Sequence, residues 1–162
     1  MLDQHTHDCA ATSLSLSADL PPSVAFGRAC AHLMSRPAFA RAPFGHVARS
    51  LAGQVNRGHY AFVMRGERTV GFAGWALVAG PVAEAWLAGL RGFDDAEAGA
   101  GDCVVLNFWQ ADDPAATRFL VAELRARLPC ARRAYAKRHY ADGRIRPLRL
   151  DLAPTGRRGA AA

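Results

Sequence analysis

The sequence predicts one α/β (α+β) domain with a central mixed, mostly antiparallel sheet flanked by helices. Segments with apolar residues at helical spacing alternate with short apolar runs that are typical of strands. Two pairs of such runs are separated by glycine-containing turns, as in antiparallel hairpins. The chain has 162 residues, 51% of them apolar, which fits a single domain with a core of ordinary size.

The elements follow from local patterns in chain order. Prolines open the first and fourth helices, as expected at a first helical position, and Gly58 is well placed to end the second. The run 103–110 is so apolar that a central strand is expected. The predicted order is a helix from Pro22, a helix from Phe44, strands 59–65 and 69–77, a helix from Val82 to Leu90, strand 103–110, a helix from Pro114, and strands 131–140 and 144–152.

The domain is predicted to span residues 21–152. Residues 1–20 are rich in Ser, Thr and Ala and are expected to form a disordered leader, and residues 153–162 a flexible tail. No apolar run reaches the ~18 residues of a membrane span, and no signal peptide is visible, so a cytoplasmic protein is expected. The four cysteines match no metal-binding spacing, so no metal site is predicted.

Positive charge is concentrated near the end of the chain. The formal net charge is +6, and the segment from Arg132 to Arg149 holds seven lysines and arginines against one acid, Asp142. Such a face attracts nucleic acid, an anionic membrane or an acidic protein, and composition alone does not choose among them. Nucleic acid is the weakest of the three, because no motif of a known nucleic-acid reader is present.

Three stretches carry a resemblance to a known family. They are FGRACAHLMSRP (26–37), GHYAFVMRGERTVGFAGWA (58–76) and GDCVVLNFW (101–109). Together they resemble the toxin-activating lysine acyltransferases, which activate RTX-type haemolysins and cyclolysins. The family's LG, SSP, QY and VAYCSWA motifs are matched, in that order, by Phe26-Gly27, Ser35-Arg36-Pro37, His59-Tyr60 and residues 70–76. Residues 26–76 align with the family pattern without a gap. The likeness continues more weakly to about residue 110 and fades after it.

The resemblance implies a GNAT-like fold and an acyl-transfer activity. Members take a fatty acyl group from acyl carrier protein and place it on the ε-amine of an internal lysine in a partner toxin. We therefore expect an enzyme with no tightly bound cofactor, with acyl-acyl carrier protein as donor and an acceptor protein such as an RTX-type toxin. Whether the chain is a monomer or a homodimer is left open.

Two features of the sequence agree with a carrier-protein donor. A GNAT that uses coenzyme A needs a glycine-rich turn after its central strand to bind pyrophosphate, whereas the turn from Gln110 to Pro114 has no glycine and two acids. Acyl carrier proteins are strongly acidic and suit the basic segment. The alternative for the basic segment is an ordinary solvated hairpin that docks no partner. The residues predicted to dock the carrier are Arg133, Lys137, Arg138 and Arg144, and Trp75 is a candidate to line an acyl channel or, alternatively, a core residue.

The catalytic positions of the family are altered. There, a histidine in the SPxHR corner takes a proton from the acceptor amine and an aspartate assists it. The alignment places Phe39 at the histidine position and Asn107 or Phe108 at the aspartate position. The remaining candidates are His46, seven residues after Phe39, His32, seven residues before it, and the amide of Asn107, which could polarise a thioester carbonyl.

Three functions therefore stay open. The first is a protein-lysine acyltransferase with a rearranged base. The second is a catalytically degenerate relative that binds acyl carrier protein or a protein partner without turnover. The third is a small acetyltransferase that uses acetyl-coenzyme A on a metabolite, against which the glycine-free turn argues.

Overall fold

The computed structural model describes residues 13–140 and 142–152. Six strands form one sheet in the order in which they occur along the chain, and helices cover both of its faces. The elements are β1 (Leu14–Ser17), α1 (Pro22–Met34), α2 (Pro37–Ala40), α3 (Phe44–Asn56), β2 (Tyr60–Arg65), β3 (Arg68–Val78), α4 (Gly80–Leu87), β4 (Cys103–Ala111), α5 (Pro114–Arg127), β5 (Arg133–His139) and β6 (Ile145–Asp151).

The sheet is mixed, with a single parallel pair. Neighbouring strands are antiparallel from β1 to β4 and again between β5 and β6, whereas β4 and β5 run parallel. A parallel pair needs a crossover connection, and α5 supplies it. The predicted fold class, a mixed and mostly antiparallel sheet flanked by helices, is confirmed.

The side chains of the strands alternate between two apolar layers, as the two-residue period of a strand requires. Helices α1 and α3 cover the face formed by Tyr60, Phe62, Phe72 and Phe108. Helix α5 covers the opposite face through Leu120 and its neighbours, and α4 packs on the end of the first face near β5.

Aromatic rings run in a continuous row beneath α1 and α3. Their centroids are separated by 5.6 Å between Tyr60 and Phe62, 4.9 Å between Phe62 and Phe72, and 6.4 Å between Phe72 and Phe108. The row ends at Phe39 of α2, 5.9 Å from Phe108. Aromatic pairs at this spacing add about 0.5–1.5 kcal/mol each beyond burial. The row therefore fixes the corner between α1 and α3 against β4.

The structure corrects the expected boundaries of the leader. Residues 14–17 form β1, which pairs with β2 from Leu14 opposite Arg65 to Ser17 opposite Phe62. The backbone of Leu20 is also held, because its N–H donates to the Tyr60 hydroxyl at 3.0 Å and its carbonyl accepts from that hydroxyl at 3.1 Å. The expectation of a disordered leader over 1–20 was therefore wrong for these residues. Residues 1–12 and the predicted tail lie outside the described part of the chain.

Two smaller differences concern the helices. Helix α2 was not predicted, and α4 ends at Leu87 rather than at Leu90, because Gly89 follows with a φ of 76°. Within 13–140 and 142–152, no helix has the length and apolar character needed to cross a membrane.

Candidate functional site

Strands β4 and β5 part halfway along their length. They pair from Cys103 opposite Arg133 to Leu106 opposite Ala136, yet β4 continues to Ala111 and β5 to His139. Beyond Leu106, the backbone groups that point between the two strands have no strand partner in the described residues. We call this opening the notch. Unpaired strand edges of this kind bind extended chains through main-chain hydrogen bonds.

A β-bulge lies at the point where the notch begins. Gly74 of β3 pairs with Phe108 and Trp75 pairs with Leu106, so Asn107 is an extra residue in β4. The Oδ1 atom of Asn107 is buried and has no hydrogen-bond partner in the structure. An amide left unpaired costs about 1–3 kcal/mol. Because a half-turn of the side chain exchanges its oxygen and nitrogen, this position can present an acceptor or a donor to a ligand.

Phe39 and Phe108 occupy the two positions where the resemblance places a histidine and, in one register, an aspartate. Phe39 is half-buried and packs on the nine-tenths-buried ring of Phe108, next to the bulge. Neither ring can carry a proton. The corner therefore holds an apolar contact at the place where the resemblance implies an acid–base pair.

The two candidate histidines lie in different environments. The side chain of His46 is exposed in the first turn of α3, and no described hydrogen bond or ring contact joins it to Asn107. His32 is buried on α1 and faces a cavity with Asp112, Arg36 and Arg68, away from the bulge. Burial lowers the pKa of His32, the Asp112 charge opposes that shift, and the arginines add to it. The structure does not bring either histidine to Asn107.

Trp75 lies in the core layer covered by α5. Its side chain is 3% exposed and stacks on His59 with ring centroids 6.2 Å apart. Its indole N–H is buried without a partner. Burial, with a smaller contribution from the Arg57 charge, lowers the pKa of His59. Trp75 pairs across the strands with Leu106, the last residue of β4 before the notch, and its role in an acyl channel stays a prediction.

The four residues predicted to dock a carrier protein divide between the two faces of the β5–β6 hairpin. Arg133 and Lys137 lie on the α4 side, where Arg133 pairs with Asp151 at 2.8 Å and the Lys137 ammonium lies 4.5 Å from the Trp86 ring centroid. By strand alternation, Arg138 lies on the opposite side.

The end of this hairpin carries a cluster that we call the basic tip: Arg138, Tyr140, Arg144 and Arg146. The guanidinium groups of Arg138 and Arg144 lie 5.0 and 5.3 Å from the Tyr140 ring centroid. Arg138 is directly opposite Arg146 in the strand pairing, an arrangement that is unfavourable without an anion nearby. Asp142 offsets only Arg144, through an ion pair of 2.6 Å. The basic tip lies at the end of β5 that borders the notch.

The turn between β4 and α5 is closed by the protein's own carboxylates. Asp113 caps α5 by accepting the Ala116 N–H at 2.8 Å, and it pairs with Arg65 at 2.8 Å. The Ala116 hydrogen bond, followed by the Arg65 bond, lowers the pKa of Asp113. A helix N-terminus is otherwise an anion site. Here the carboxylate of Asp113 occupies it, and the expectation that pyrophosphate does not bind at this turn stays a prediction.

Gln54 lies next to the bulge, and it was not identified as a candidate from the sequence. Its amide is buried, neither amide atom has a partner, and it lies against Gly74, which pairs with Phe108. A Cβ on residue 74 would come within 2.2 Å of the Gln54 Oε1. The sequence does contain a signal, because Gln54 follows Val47 and Leu51 on the apolar stripe of α3, where a polar residue is unusual.

Comparison with known proteins identifies the fold. No protein-family profile and no curated protein matches the chain. Among solved structures, the chain is similar to a putative GNAT acetyltransferase from Desulfovibrio desulfuricans, with a TM-score of 0.53, 13% identity and coverage of 87% of this chain and 100% of that one. It is also similar to the ribosomal-protein-S18-alanine N-acetyltransferase from Escherichia coli, with a TM-score of 0.53, 14% identity and coverage of 90% and 98%.

A third similar structure is the loading GNATL domain of CurA from Lyngbya majuscula, with a TM-score of 0.51, 12% identity and coverage of 81% of this chain and 69% of that one. At these identities the likeness concerns the fold alone. The GNAT-like fold expected from the sequence is confirmed, and the narrower resemblance to toxin-activating acyltransferases stays a prediction.

Proposed function

We propose that the chain binds a fatty acyl thioester carried by acyl carrier protein and transfers the acyl group to a lysine ε-amine of a partner protein. The observation that carries this proposal is the notch between β4 and β5, with a bulge at Asn107 where it begins. The GNAT-like fold of the neighbouring structures supports an acyltransferase of a general kind. The donor and the acceptor come from the sequence resemblance and from the charge distribution.

In this proposal, the extended arm of the carrier protein lies in the notch and hydrogen-bonds to the unpaired backbone groups of β4 and β5. The thioester carbonyl then lies beside Asn107. The side-chain amide of Asn107 and the unpaired N–H groups of β4 stabilise the oxyanion that forms when the amine attacks. The amine attacks, a C–N bond forms, the C–S bond breaks, and the sulfur leaves on the carrier. The proton of the amine passes to a base. No described histidine contacts Asn107, so His46 remains a candidate from the sequence only, and it would have to reach the amine in the complex.

Electrostatics favour a carrier protein over coenzyme A as the donor. The basic tip borders the notch and is under-neutralised, which suits an acidic protein surface. The other route for a donor, a pyrophosphate on the N-terminus of α5, meets the carboxylate of Asp113.

A second candidate function is binding of acyl carrier protein without turnover. The contact between Phe39 and Phe108 favours it, because this apolar pair supplies no acid or base beside the bulge. Both candidates require the notch and the basic tip, and they differ only in the chemical step.

The proposal is tested by titrating the protein with acyl carrier protein in apo, holo and long-chain acyl forms, at low and high salt. We expect the acyl form to bind most tightly and the affinity to fall with salt. The double variant Arg138→Glu/Arg146→Glu should weaken binding by at least about tenfold, because it reverses two charges that face the carrier. Arg125→Glu, at an exposed arginine in the last turn of α5, is the control and should bind as the wild type does.

Turnover then separates the two candidates. Acyl-carrier protein is incubated with lysine-containing peptides, and acylation is followed by mass spectrometry. Acylated lysine that depends on Asn107 supports the transferase, whereas tight binding with no acylation supports the binding module. If no form of the carrier protein binds, both candidates are wrong.

A further inference from the structure

A cavity lies beside α1, next to the end of β4. It has a volume of about 280 Å³ and is bordered by α1, the start of β3 and the residue that follows β4. We call it the arginine cavity. The residues that matter here are Arg28, His32, Arg36, Arg68, Thr69 and Asp112.

Its charge is strongly positive. Three guanidinium groups face a single carboxylate, that of Asp112, which pairs with Arg36 and, at 3.0 Å, with Arg68. Arg28 has no carboxylate among the described residues. Its guanidinium contacts the Met64 sulfur at 3.7 Å and lies 5.7 Å from the Phe62 ring centroid. The charge of Arg28 is therefore not neutralised, while Arg36 and Arg68 share the single carboxylate of Asp112.

Hydrogen-bonding capacity is also unused around this cavity. Among residues 13–140 and 142–152, no hydrogen-bond partner reaches the buried Nε2 atom of His32 or the buried Nε atom of Arg36, and His32 as a whole is 8% exposed. The Thr69 hydroxyl donates only to the Met64 sulfur at 3.6 Å, a weak acceptor. Buried polar groups are normally paired, so this concentration of unsatisfied groups indicates a ligand with several acceptor oxygens.

We propose that the arginine cavity binds a phosphate group, either free or on a small phosphate monoester. A phosphate presents several acceptor oxygens and up to two negative charges, which matches three arginines, the Thr69 hydroxyl and His32. A neutral or cationic ligand would leave Arg28 uncompensated. The cavity adjoins the capped N-terminus of α5, because Asp112 directly precedes the capping Asp113, but its lining does not include Asp113, and phosphate binding there does not depend on the proposed acyl transfer.

His32 provides an internal reporter of occupancy. Burial lowers the pKa of its imidazole, and Asp112, Arg36 and Arg68 are the charges that act on it. A phosphate beside the ring stabilises the imidazolium, so the pKa of His32 rises when the ligand binds. The ring-proton resonances of His32 then titrate at higher pH in phosphate than in a buffer without oxyanions.

The test is calorimetric titration of the whole protein with inorganic phosphate at low salt. We expect one site, weakened about tenfold in Arg28→Met, which removes one charged hydrogen-bond donor and keeps an unbranched side chain. Arg49→Met, at an exposed position on α3, is the matched control and should bind phosphate as the wild type does. Asp112→Asn should bind phosphate more tightly, because the competing negative charge is gone.

Two sources of the phosphate are then distinguished. If 4′-phosphopantetheine binds more tightly than inorganic phosphate while pantetheine does not bind, the phosphate belongs to a carrier arm. If inorganic phosphate and simple monoesters bind equally well, the source is a free small molecule, and the proposal stands in either case. No binding even at millimolar phosphate, or equal binding by the wild type and Arg28→Met, would overturn it.

Discussion

The rings of Phe39 and Phe108 meet with their centroids 5.9 Å apart, at the corner where α2 approaches the bulge of β4. Phe39 comes from a four-residue helix between two longer ones, and Phe108 follows the bulged residue directly. The contact thus joins the helical corner to the strand that lines the notch. It gives the corner a structural role in this protein.

We expect Phe39→Ala to lower the free energy of unfolding by about 2 kcal/mol, below the range for fully buried phenylalanines because Phe39 is half-buried. Urea unfolding followed by circular dichroism measures this. Phe44→Ala is the matched control, since Phe44 is 59% exposed and its loss should cost no more than about 0.5 kcal/mol. Equal losses in the two variants would show that the ring contact contributes little.

Asn107→Ala should lower acyl transfer about 100-fold, within the range for the loss of one oxyanion donor. Single-turnover loss of the acyl group from acyl carrier protein, with a lysine peptide as acceptor, measures the effect. Asn56→Ala, at the exposed end of α3, is the control and should leave the rate unchanged. His46→Ala measured beside them reports on the base, because transfer that does not change in this variant removes His46 from the mechanism.

The packing of Gln54 on Gly74 predicts a strong coupling between the two positions. Gly74→Ala should destabilise the protein by about 1–3 kcal/mol, because the new methyl group overlaps the Gln54 amide. In the double variant Gly74→Ala/Gln54→Ala most of this penalty should vanish, and the interaction energy of the double-mutant cycle measures the clash.

Gly45→Ala is the control for this cycle. Gly45 lies in helix α3 with open space around it, so an alanine there should stabilise the protein by about 0.5–1 kcal/mol. Additive effects of the Gly74 and Gln54 substitutions would contradict the packing described here.

Two histidines, buried His32 and half-buried His59, predict how stability depends on pH. Burial lowers the pKa of both His32 and His59 in the folded state, whereas in the unfolded chain each has an ordinary pKa of about 6.5. Below that pH the unfolded chain binds more protons than the folded one. The contribution of these two histidines to the free energy of unfolding should therefore be constant above about pH 7.5 and fall as the pH drops below about 6.5.

Urea unfolding at several values down to about pH 5.5 checks this dependence before unfolded-state carboxyl groups begin to titrate. His32→Gln should reduce the slope, because it removes one group whose pKa is lowered in the folded state. A slope that is identical in the wild type and His32→Gln would show that His32 does not contribute to it.

The order of the longer elements was predictable because each shows the hydrophobic periodicity of a helix or strand and is bounded by proline, glycine or polar turn residues. The two short elements were not. Four residues of β1 are too few to show an alternation, and β1 is defined by its pairing with β2, which is more than forty residues away in the chain. Helix α2 begins at Pro37, after an extended Arg36, and is a single turn with no periodicity of its own.

The site was predictable only where one residue violates the pattern of its own element. Asn107 stands out in an apolar strand, and Gln54 stands out on an apolar helix stripe by the same reasoning. The bulge itself depends on the pairing of β3 with β4, which the sequence does not specify. The arginine cavity gathers Arg28 from α1 and Asp112 from the end of β4, and no local pattern links residues so far apart.

The early parting of β4 and β5 has a consequence for solvent exchange. Within the described residues, four residue pairs join β5 to β4, after which the amides of β5 that point into the notch have no carbonyl across from them. These amides should exchange with deuterium quickly in the free protein, while those paired with β6 exchange slowly. An extended ligand chain bound between the two strands would pair with these amides and slow their exchange. The set of amides that become protected would show how far the bound chain extends along the notch.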